Sequence, residues 1–267
     1  MAGKVVLITG ASSGIGLATA ELLHDAGFTV YGTSRQAKTP SQHKFHLIEL
    51  DVNQEDSVAQ AIEKVITNEG QIDVLINNAG FAIAPAGAEE SSMQQAQAIF
   101  DTNFFGAVRM TRAVIPHMRQ KHSGLILNVS SILGLLPMPF GALYSASKHA
   151  LEGYSESLDH ELRSQGIRVS LIEPAYTNTS LGLNLLEPDN KLAFYNEARE
   201  KLHRQMMHTI NKSDDPSVVA HTILTVIQSQ QVVSRYTAGK TAKNLKALRR
   251  FAPAKIFDKL IQRNLKV

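Results

Sequence analysis

Short apolar stretches that resemble β-strands recur along the whole chain, and stretches with helical periodicity separate them. These runs are rich in Val, Ile and Leu, and they lie at residues 5–9, 29–33, 45–50, 74–77, 125–129, 169–173 and 232–236. Runs that are apolar on both faces and alternate with helices are typical of a parallel sheet with helices on both sides, joined by right-handed crossovers. The sequence therefore predicts an α/β fold with a doubly wound, mostly parallel sheet of seven strands. In such a sheet, ligands bind at the carboxyl ends of the strands.

No feature of the sequence divides the chain. Its 267 residues suit one large domain, and it has no repeat, low-complexity segment or linker rich in proline and glycine. We therefore predict a single domain over residues 1–267. The one long irregular stretch, about 176–190, predicts a loop over the substrate that leads into a helix from about Lys191.

The chain contains no cysteine, and its N-terminus has neither a long apolar region nor a cleavage pattern. Without cysteine, disulfides, thiolate nucleophiles and Cys-based metal sites are excluded. No apolar run reaches the roughly 18 residues that a membrane-spanning helix needs. These features predict a soluble, cytoplasmic protein.

The net charge of +3 hides a basic C-terminal segment. Residues 235–267 contain ten lysines and arginines and one acid, a charge of +9, so the first 234 residues together carry −6. Within 237–267 the basic residues alternate with Leu, Ile and Phe, and Pro253 interrupts the pattern. This amphipathic segment could close over an apolar substrate, touch an anionic lipid surface or pack against its own subunit, and we favour packing.

A glycine-rich turn follows the first predicted strand and opens a helical stretch. Gly10, Gly14 and Gly16 permit a tight turn and a close approach of the backbone to phosphate oxygens, while the N-terminus of the helix offers free N–H donors. In this strand–turn–helix setting, dinucleotide binding is favoured over a purely structural turn. The candidate cofactor residues of the turn are Gly10, Ser12, Ser13, Gly14, Ile15 and Gly16.

The second predicted strand is followed by Arg35, at a position where a chain that binds NAD has a carboxylate. A guanidinium can instead bind the 2′-phosphate of NADP through charge-assisted hydrogen bonds. The sequence therefore favours NADP(H) over NAD(H). The alternative is that Arg35 is a solvated loop residue.

Tyr144 and Lys148 stand four residues apart in a helical stretch, so their side chains project from one face. A phenol has an ordinary pKa of about 10, and an adjacent ammonium favours its ionised form. The pair could therefore serve as a proton donor and acceptor near neutral pH. By itself the spacing would fit a solvated lysine beside a half-buried tyrosine equally well.

Three further motifs follow predicted strands: Asn77-Asn78-Ala79-Gly80, Asn128-Val129-Ser130-Ser131 and Glu173-Pro174-Ala175. Together with the glycine turn and the tyrosine–lysine pair, they closely resemble the short-chain dehydrogenase/reductase family in order and spacing, from residue 4 to about residue 179. This resemblance implies a Rossmann-type fold, a nicotinamide cofactor, and a homodimer or homotetramer.

The resemblance also implies roles for individual residues. Tyr144 would be the general acid in reduction and the general base in oxidation, and Lys148 would lower its pKa and bind the nicotinamide ribose. Ser131, thirteen residues before the tyrosine, would hydrogen-bond the substrate oxygen, with Ser130 as the alternative. Asn103 would hold a water that links the lysine to a proton relay, or would act as a helix cap or buried amide.

Other cofactor contacts are implied at further strand ends. They are Asp51 and Val52 at the adenine, Asn78, Ala79 and Gly80 along the cleft, and Pro174, Thr177 and Thr179 near the nicotinamide. Asn77 could instead only pin the sheet. The chain departs from the family at Ala175, where glycine is usual. Because that glycine would permit a positive φ, we expect a strained or shifted loop at Ala175.

The residues expected near the substrate are apolar, with no charged anchor among them. They are Phe81, Ala82, Ile83, Ile132, Leu133, Leu135, Leu136, Pro137, Met138, Pro139, Phe140 and Leu143. This composition favours a hydrophobic carbonyl or alcohol that is lipid-, steroid- or retinoid-like. For Leu135, Leu136 and Met138, a place in the core or a subunit contact is an equal alternative. Residues 235–267 resemble the hydroxysteroid- and retinol-dehydrogenase-like branch of the family.

The sequence as a whole predicts an NADP(H)-dependent oxidoreductase that interconverts a carbonyl and an alcohol. The alternative is a catalytically silent nucleotide sensor or scaffold, although such a protein would not need Asn103, Ser131, Tyr144 and Lys148 together. The ten histidines form no convincing ligand set, and hydride transfer to a nicotinamide needs no metal, so we expect none. Without a nucleic-acid motif, we expect no specific nucleic-acid partner and at most a peripheral membrane contact.

Overall fold

A seven-stranded parallel sheet forms the centre of the protein in a computed structural model that describes residues 3–37, 43–179 and 185–265. Its strands are β1 (Val5–Ile8), β2 (Thr29–Ser34), β3 (His46–Glu49), β4 (Val74–Asn77), β5 (Gly124–Val129), β6 (Ile167–Pro174) and β7 (Arg235–Ala238). Their order across the sheet is β3-β2-β1-β4-β5-β6-β7. The predicted doubly wound α/β fold is confirmed.

The strand order reverses between β1 and β4. From β1 the chain builds outward to β3, and from β4 it builds in the other direction to β7. The crossovers after β1 and β4 therefore diverge and leave a crevice at the carboxyl ends of these strands, which is where doubly wound sheets bind ligands.

The last strand differs from its prediction, since β7 covers Arg235–Ala238 and not residues 232–236. The apolar pattern begins earlier than the pairing does. Val232 packs into the core, while the Val233 backbone N–H donates to the Tyr236 hydroxyl at 3.0 Å and not to a neighbouring strand. The apolar residues before Arg235 thus placed the start of the predicted strand too early, within the preceding turn.

Helices cover both faces of the sheet. They are α1 (Gly14–Asp25), α2 (Glu55–Glu69), α3 (Met93–Phe100), α4 (Gly106–Gln120), α5 (Ala142–Leu162), α6 (Asn196–Asn211), α7 (Pro216–Gln228), α8 (Lys240–Phe251) and α9 (Ala254–Leu265). The helix expected from about Lys191 begins as a 3₁₀ turn, Ala193–Tyr195, and continues as α6. Residues 180–184 of the predicted substrate loop lie outside the described residues. Across the described ranges, no helix combines the length and apolarity needed to cross a membrane.

Alternate residues of the strands supply two separate cores. Val5 and Leu7 pack on one face of the sheet, and Val6 and Ile8 pack on the other, because successive side chains of a strand point in opposite directions. Both faces of β1 are therefore buried, which explains its unbroken apolar sequence.

The basic C-terminal segment packs against its own chain. Phe257 of α9 is 7% exposed and joins Ile132 and Leu136, which follow β5, in a third apolar cluster. Leu245 and Leu248 of α8 pack on the same cluster. The two helices are separated at Pro253, as the sequence pattern predicts. Part of the apolar stripe thus faces the interior, while Phe251 and Ile256 are 77% and 52% exposed and most basic side chains lie outside.

Candidate active site

The glycine turn between β1 and α1 is shaped by the absence of side chains. Gly10 and Gly14 have φ of 68° and 56°, a region that favours glycine. A Cβ atom on Gly16 would lie 2.1 Å from the carbonyl oxygen of Gly10. The turn can close only because these positions lack side chains, and it sets the backbone N–H groups at the start of α1 toward the crevice.

The end of β4 is bonded directly to this turn. The Asn78 Nδ2 donates to the carbonyl oxygens of Thr9 and Gly10, at 2.9 and 3.0 Å. The Thr9 hydroxyl accepts from the backbone N–H of Asn78 and of Ala79, at 2.9 and 3.0 Å. Sequence reasoning missed Thr9, although a threonine that ends an apolar strand just before the glycines was a usable signal.

A dinucleotide fits this part of the crevice. The helix N-terminus suits a diphosphate, and Ser12 and Ser13 are exposed beside it. A Cβ on Gly80 would lie 3.0 Å from the Asn103 Oδ1, so the floor of the cleft is also kept free of side chains. These residues could hold the phosphates and let a flat ring lie against the backbone.

The residues predicted for the adenosine end lie at the ends of β2 and β3. Arg35 is exposed directly after β2. Asp51 is partly buried, and its Oδ1 accepts from the backbone N–H of Asn53 at 3.0 Å. Val52 is 7% exposed and packs against Gly106, where a Cβ would lie 2.7 Å from the valine Cγ2. The Arg35 guanidinium is thus free to meet a phosphate, while the Val52 side chain points into the core.

Tyr144 and Lys148 lie on one face of α5, as predicted. The Lys148 ammonium is 5.8 Å from the centroid of the tyrosine ring and donates to the carbonyl oxygen of Val129 at 2.9 Å. Burial lowers the pKa of Lys148 to about 8, and Glu152 acts against this by raising it. Burial also raises the pKa of Tyr144 to about 12, while a hydrogen bond with Ser131 lowers it. In this structure burial is the largest influence on the pKa of each residue.

Ser131 and Ser130 face different neighbours. Ser131 lies near enough to Tyr144 to lower the pKa of the phenol, and its hydroxyl accepts from the backbone N–H of Leu133 at 3.1 Å. Ser130 is 3% exposed, and its hydroxyl lies beside Gly134, as the Glu152 carboxylate does. Of the two serines, the geometry brings Ser131 to the tyrosine hydroxyl.

Asn103 lies in a π-helical turn, Asp101–Phe105, that precedes α4. Its Nδ2 donates to the Phe81 carbonyl oxygen at 2.9 Å and to the Ser147 hydroxyl at 3.2 Å, and its Oδ1 accepts from the Phe81 N–H at 2.9 Å. The buried-amide alternative is therefore present, because the side chain ties the segment after β4 to α5. Its role in a proton relay stays a prediction.

A second buried amide pair supports the site from below. The Asn77 Nδ2 donates to the Asn128 Oδ1 at 2.8 Å, and the Asn128 Nδ2 donates to the Ser155 hydroxyl at 2.8 Å. These bonds join the ends of β4 and β5 to α5. Asn77 pins the sheet, which is the alternative that the sequence left open.

The expected strain at Ala175 is absent. The described non-glycine residues with positive φ are His122 and Phe140, so Ala175 adopts an ordinary backbone conformation and packs against the third apolar cluster. A Cβ at this position is therefore accommodated by packing. Pro174 ends β6, and Thr177 forms a bridge with Asp214 that carries the loop away from the sheet.

The predicted substrate residues divide into two groups. Ile132, Leu133, Leu135 and Leu136 fill the cluster beneath α8 and α9, so for Leu135 and Leu136 the core alternative holds. Ile83, Phe140 and Leu143 instead line a small cavity of about 20 Å³ together with Tyr144. The Tyr176 hydroxyl approaches the Met138 sulfur at 3.6 Å. The surroundings of the tyrosine are thus apolar, as predicted.

The crevice and the side chains around it define a class of protein. A dinucleotide cradle at the switch point of a parallel sheet, with a serine, a tyrosine and a lysine at the adjacent strand end, is the arrangement of a nicotinamide-dependent oxidoreductase. Within the described ranges no group of three or more His, Asp or Glu residues could hold a metal ion.

Comparison with known proteins identifies the family. The short chain dehydrogenase family matches residues 4–190, and the chain belongs to this family. It is 46% identical to a 3-ketodihydrosphingosine reductase of Bacteroides thetaiotaomicron over 185 residues, which is 67% of this chain and 66% of that protein. It is 35% identical to retinol dehydrogenase 8 of Bos taurus, over 95% of this chain and 87% of that protein. The predicted family is confirmed.

Solved structures show the same fold and more than one cofactor. A short-chain dehydrogenase from Streptomyces avermitilis matches all of both chains with a TM-score of 0.83 and 30% identity. A serine dehydrogenase bound to NADP⁺ matches with a TM-score of 0.75 and 25% identity, covering 87% of this chain and 93% of that chain. A 3-ketoacyl-(acyl-carrier-protein) reductase from Brucella melitensis with NADH has the same TM-score and identity, over 88% and 96%. The family fold therefore binds a nicotinamide cofactor, as either NADP(H) or NAD(H).

Proposed function

We propose that this protein is an NADP(H)-preferring oxidoreductase that interconverts a carbonyl and an alcohol on a hydrophobic substrate. The observation that carries the proposal is the position of Tyr144, which lies beside Ser131 and has the Lys148 ammonium 5.8 Å from its ring centroid, at the edge of the dinucleotide cradle. No other described tyrosine combines these two neighbours.

In the direction of reduction, Tyr144 donates its proton to the substrate oxygen as the carbonyl carbon accepts a hydride. When bound, NADP(H) supplies or accepts that hydride. Ser131 donates a hydrogen bond to the same oxygen and stabilises the charge that develops there. In oxidation, Tyr144 removes the hydroxyl proton.

Lys148 makes proton transfer by Tyr144 feasible at moderate pH. The phenol, with a pKa of about 12, ionises at moderate pH only with support from a nearby positive charge, and we propose that the Lys148 ammonium supplies that support once cofactor and substrate are bound. Asn103 ties the segment after β4 to α5, and thereby fixes the position of the helix that carries Lys148 relative to the cleft. We propose that water bound near Asn103 returns a proton to the tyrosine through Lys148.

Arg35 supports the preference for NADP(H). It is exposed at the end of β2, where the ribose 2′ position of a dinucleotide would lie, and a guanidinium binds a phosphate through charge-assisted hydrogen bonds. Asp51, Val52, Thr177 and Thr179 complete the proposed cofactor contacts.

The apolar side chains of Ile83, Phe140 and Leu143 beside Tyr144 support a lipid-, steroid- or retinoid-like substrate. The names of two relatives, 3-ketodihydrosphingosine reductase and retinol dehydrogenase 8, support the same class. Because Phe257 packs inside while Phe251 and Ile256 are exposed among basic side chains, we propose at most a peripheral membrane contact, and no specific nucleic-acid partner. We further propose a single domain that assembles as a homodimer or homotetramer.

The test is to titrate the purified protein with NADPH and with NADH, following the nucleotide's own fluorescence, and then to add apolar ketones, aldehydes and alcohols. Tighter binding of NADPH with turnover of any of these compounds is the expected result. Binding without turnover would favour a silent sensor on the same fold. Binding of neither nucleotide would contradict the proposal.

A further inference from the structure

A cluster of charged side chains lies behind the serine motif, on the far side from the cleft. Arg235 of β7 contacts three carboxylates: it forms an ion pair with Glu152 of α5, and it donates to the Glu156 Oε1 at 2.7 Å and the Glu173 Oε1 at 3.0 Å. Lys246 of α8 donates to the other oxygen of Glu173 at 2.9 Å. The cluster therefore joins α5, β6, β7 and the C-terminal segment.

Two of these carboxylates are buried. Glu152 and Glu173 are 3% and 0% exposed, and a buried charge is costly unless it is paired. Glu152, Glu156 and Glu173 carry three negative charges, while Arg235 and Lys246 carry only two positive charges. A further cation, Lys148, lies four residues before Glu152 on α5, and Glu152 raises its pKa. When all three carboxylates are ionised, Arg235 and Lys246 leave one negative charge, which the ammonium of Lys148 would balance.

The helix places Glu152 one turn beyond Lys148, as Lys148 is one turn beyond Tyr144. Glu152 also faces the serine motif. A Cβ on Gly134 would lie 2.9 Å from the Glu152 Oε1 and 2.8 Å from the Ser130 hydroxyl, so both groups crowd the same glycine. One carboxylate therefore adjoins both the lysine and the residue next to Ser131.

We propose that Glu152 is a positioning residue for the reaction, whose carboxylate keeps Lys148 protonated, and that Arg235 holds this carboxylate in place. The inference rests on the proposed function, because it assigns Glu152 a part in the chemistry of Tyr144. The groups that face Glu152 are Lys148 and Glu156 of α5, Ser130 after β5, Glu173 of β6 and Arg235 of β7.

The direction of the effect follows from charge. Burial holds the pKa of Lys148 at about 8, and removal of the adjacent negative charge lowers it further, because the ammonium loses its stabilising partner. Burial also raises the pKa of Glu152 to about 7, so the carboxylate gives its full support only above that pH. The Glu152 carboxylate therefore stabilises the Lys148 ammonium best at a pH between these two pKa values, about 7 and about 8.

The first experiment measures Lys148 directly, by NMR titration of the protein labelled with ¹³C at lysine Cε, with Lys148→Met to assign the signal. We expect Glu152→Gln to lower the pKa of Lys148 by about one unit. Glu156→Gln is the matched control: it makes the same change one turn further along α5 and also removes a partner of Arg235. In this control the pKa of Lys148 should change by less than about a third of that amount.

The conservative variant Glu152→Asp separates charge from shape. It keeps the carboxylate but shortens the side chain, whereas glutamine keeps the shape and loses the charge. If the negative charge of Glu152 is what supports the lysine, the pKa of Lys148 in the aspartate variant stays close to the wild-type value. If both variants leave the pKa of Lys148 unchanged, or the aspartate variant lowers it as much as the glutamine variant does, the inference is wrong.

Turnover provides the second readout. With a lysine pKa one unit lower, the alkaline limb of the pH profile of kcat moves down by about one unit, and kcat falls about fivefold at pH 8 and about twofold at pH 7. Because the NMR titration needs no substrate, an inactive wild-type protein would contradict the proposed function without deciding the role of Glu152.

If Glu152→Gln does not fold, the wild-type protein still provides a test. Its Lys148 signal should show a second inflection near pH 7 as Glu152 titrates, and the absence of that inflection would overturn the inference.

Discussion

The two sides of the crevice are built by opposite means. On the side of β1, the turn from Gly10 to Gly16 is shaped by missing side chains and fixed by neutral hydrogen bonds from Asn78. On the side of β5, the site consists of ionisable side chains, the half-buried Tyr144 and the buried Lys148 and Glu152, whose pKa values are all displaced by loss of solvent. Substitutions that add atoms should disrupt the first side, whereas substitutions that change a charge or remove a proton donor should disrupt the second. Substitutions should therefore separate binding from turnover.

The largest effect is expected from Tyr144→Phe, which removes the proton donor and leaves the ring. Turnover should fall by about 10³-fold, in the range for general acid–base groups, while the affinity for NADPH stays within about twofold. Stopped-flow turnover and fluorescence titration measure the two effects. Tyr154→Phe removes a hydroxyl from the same helix and should change neither. Loss of NADPH binding in Tyr144→Phe would show that the hydroxyl is structural.

Gly16→Ala should have the opposite signature. Its Cβ would lie 2.1 Å from the Gly10 carbonyl oxygen, so the backbone must move and the dissociation constant for NADPH should rise about 100-fold. Gly153→Ala is the control, because a Cβ there meets no atom within 4 Å and alanine favours the helix. Unchanged affinity in Gly16→Ala would mean that phosphate does not bind at this turn.

Arg35→Asp tests the cofactor preference on the glycine side. The loss of a charge-assisted partner, with repulsion added, should shift the ratio of NADPH to NADH affinity toward NADH by about 10- to 30-fold. Arg204→Asp makes the same change in charge at an exposed position of α6 and should leave the ratio unaltered. Equal ratios in the wild type and Arg35→Asp would place the 2′-phosphate elsewhere.

The smallest effect is expected from Thr9→Val, an isosteric change in the hydrogen bonds between β1 and β4. Two backbone N–H groups lose their acceptor, so the free energy of unfolding should fall by about 1–3 kcal/mol and NADPH affinity by about fivefold. Thr19→Val is the matched control, because the buried Thr19 hydroxyl has no hydrogen-bond partner among the described residues. Chemical denaturation and NADPH titration would check both variants. Equal loss in the two variants would mean that the Thr9 bonds contribute nothing.

The sequence predicts one side of the crevice better than the other. The glycine turn and the strand ends depend on residues close together in the chain, and the fold they imply is confirmed. The neighbours of Glu152 could not be predicted, because Arg235 lies 83 residues away and Lys246 meets Glu173 across 73 residues. Ala175 was misjudged because a missing glycine is visible in the sequence, whereas the packing that accommodates a methyl group is not.

The packing of α9 also gives the protein an order of assembly. Phe257 closes the apolar wall beneath Ile132 and Leu136, yet of the residues of that wall only Ile261 is synthesised later. A nascent chain can thus form the glycine turn and pair β1 with β2 long before the segment beside Ser131 gains its backing. During translation the glycine turn and its partner strand would emerge first, and the wall behind the segment beside Ser131 would be completed only when the C-terminal helices leave the ribosome.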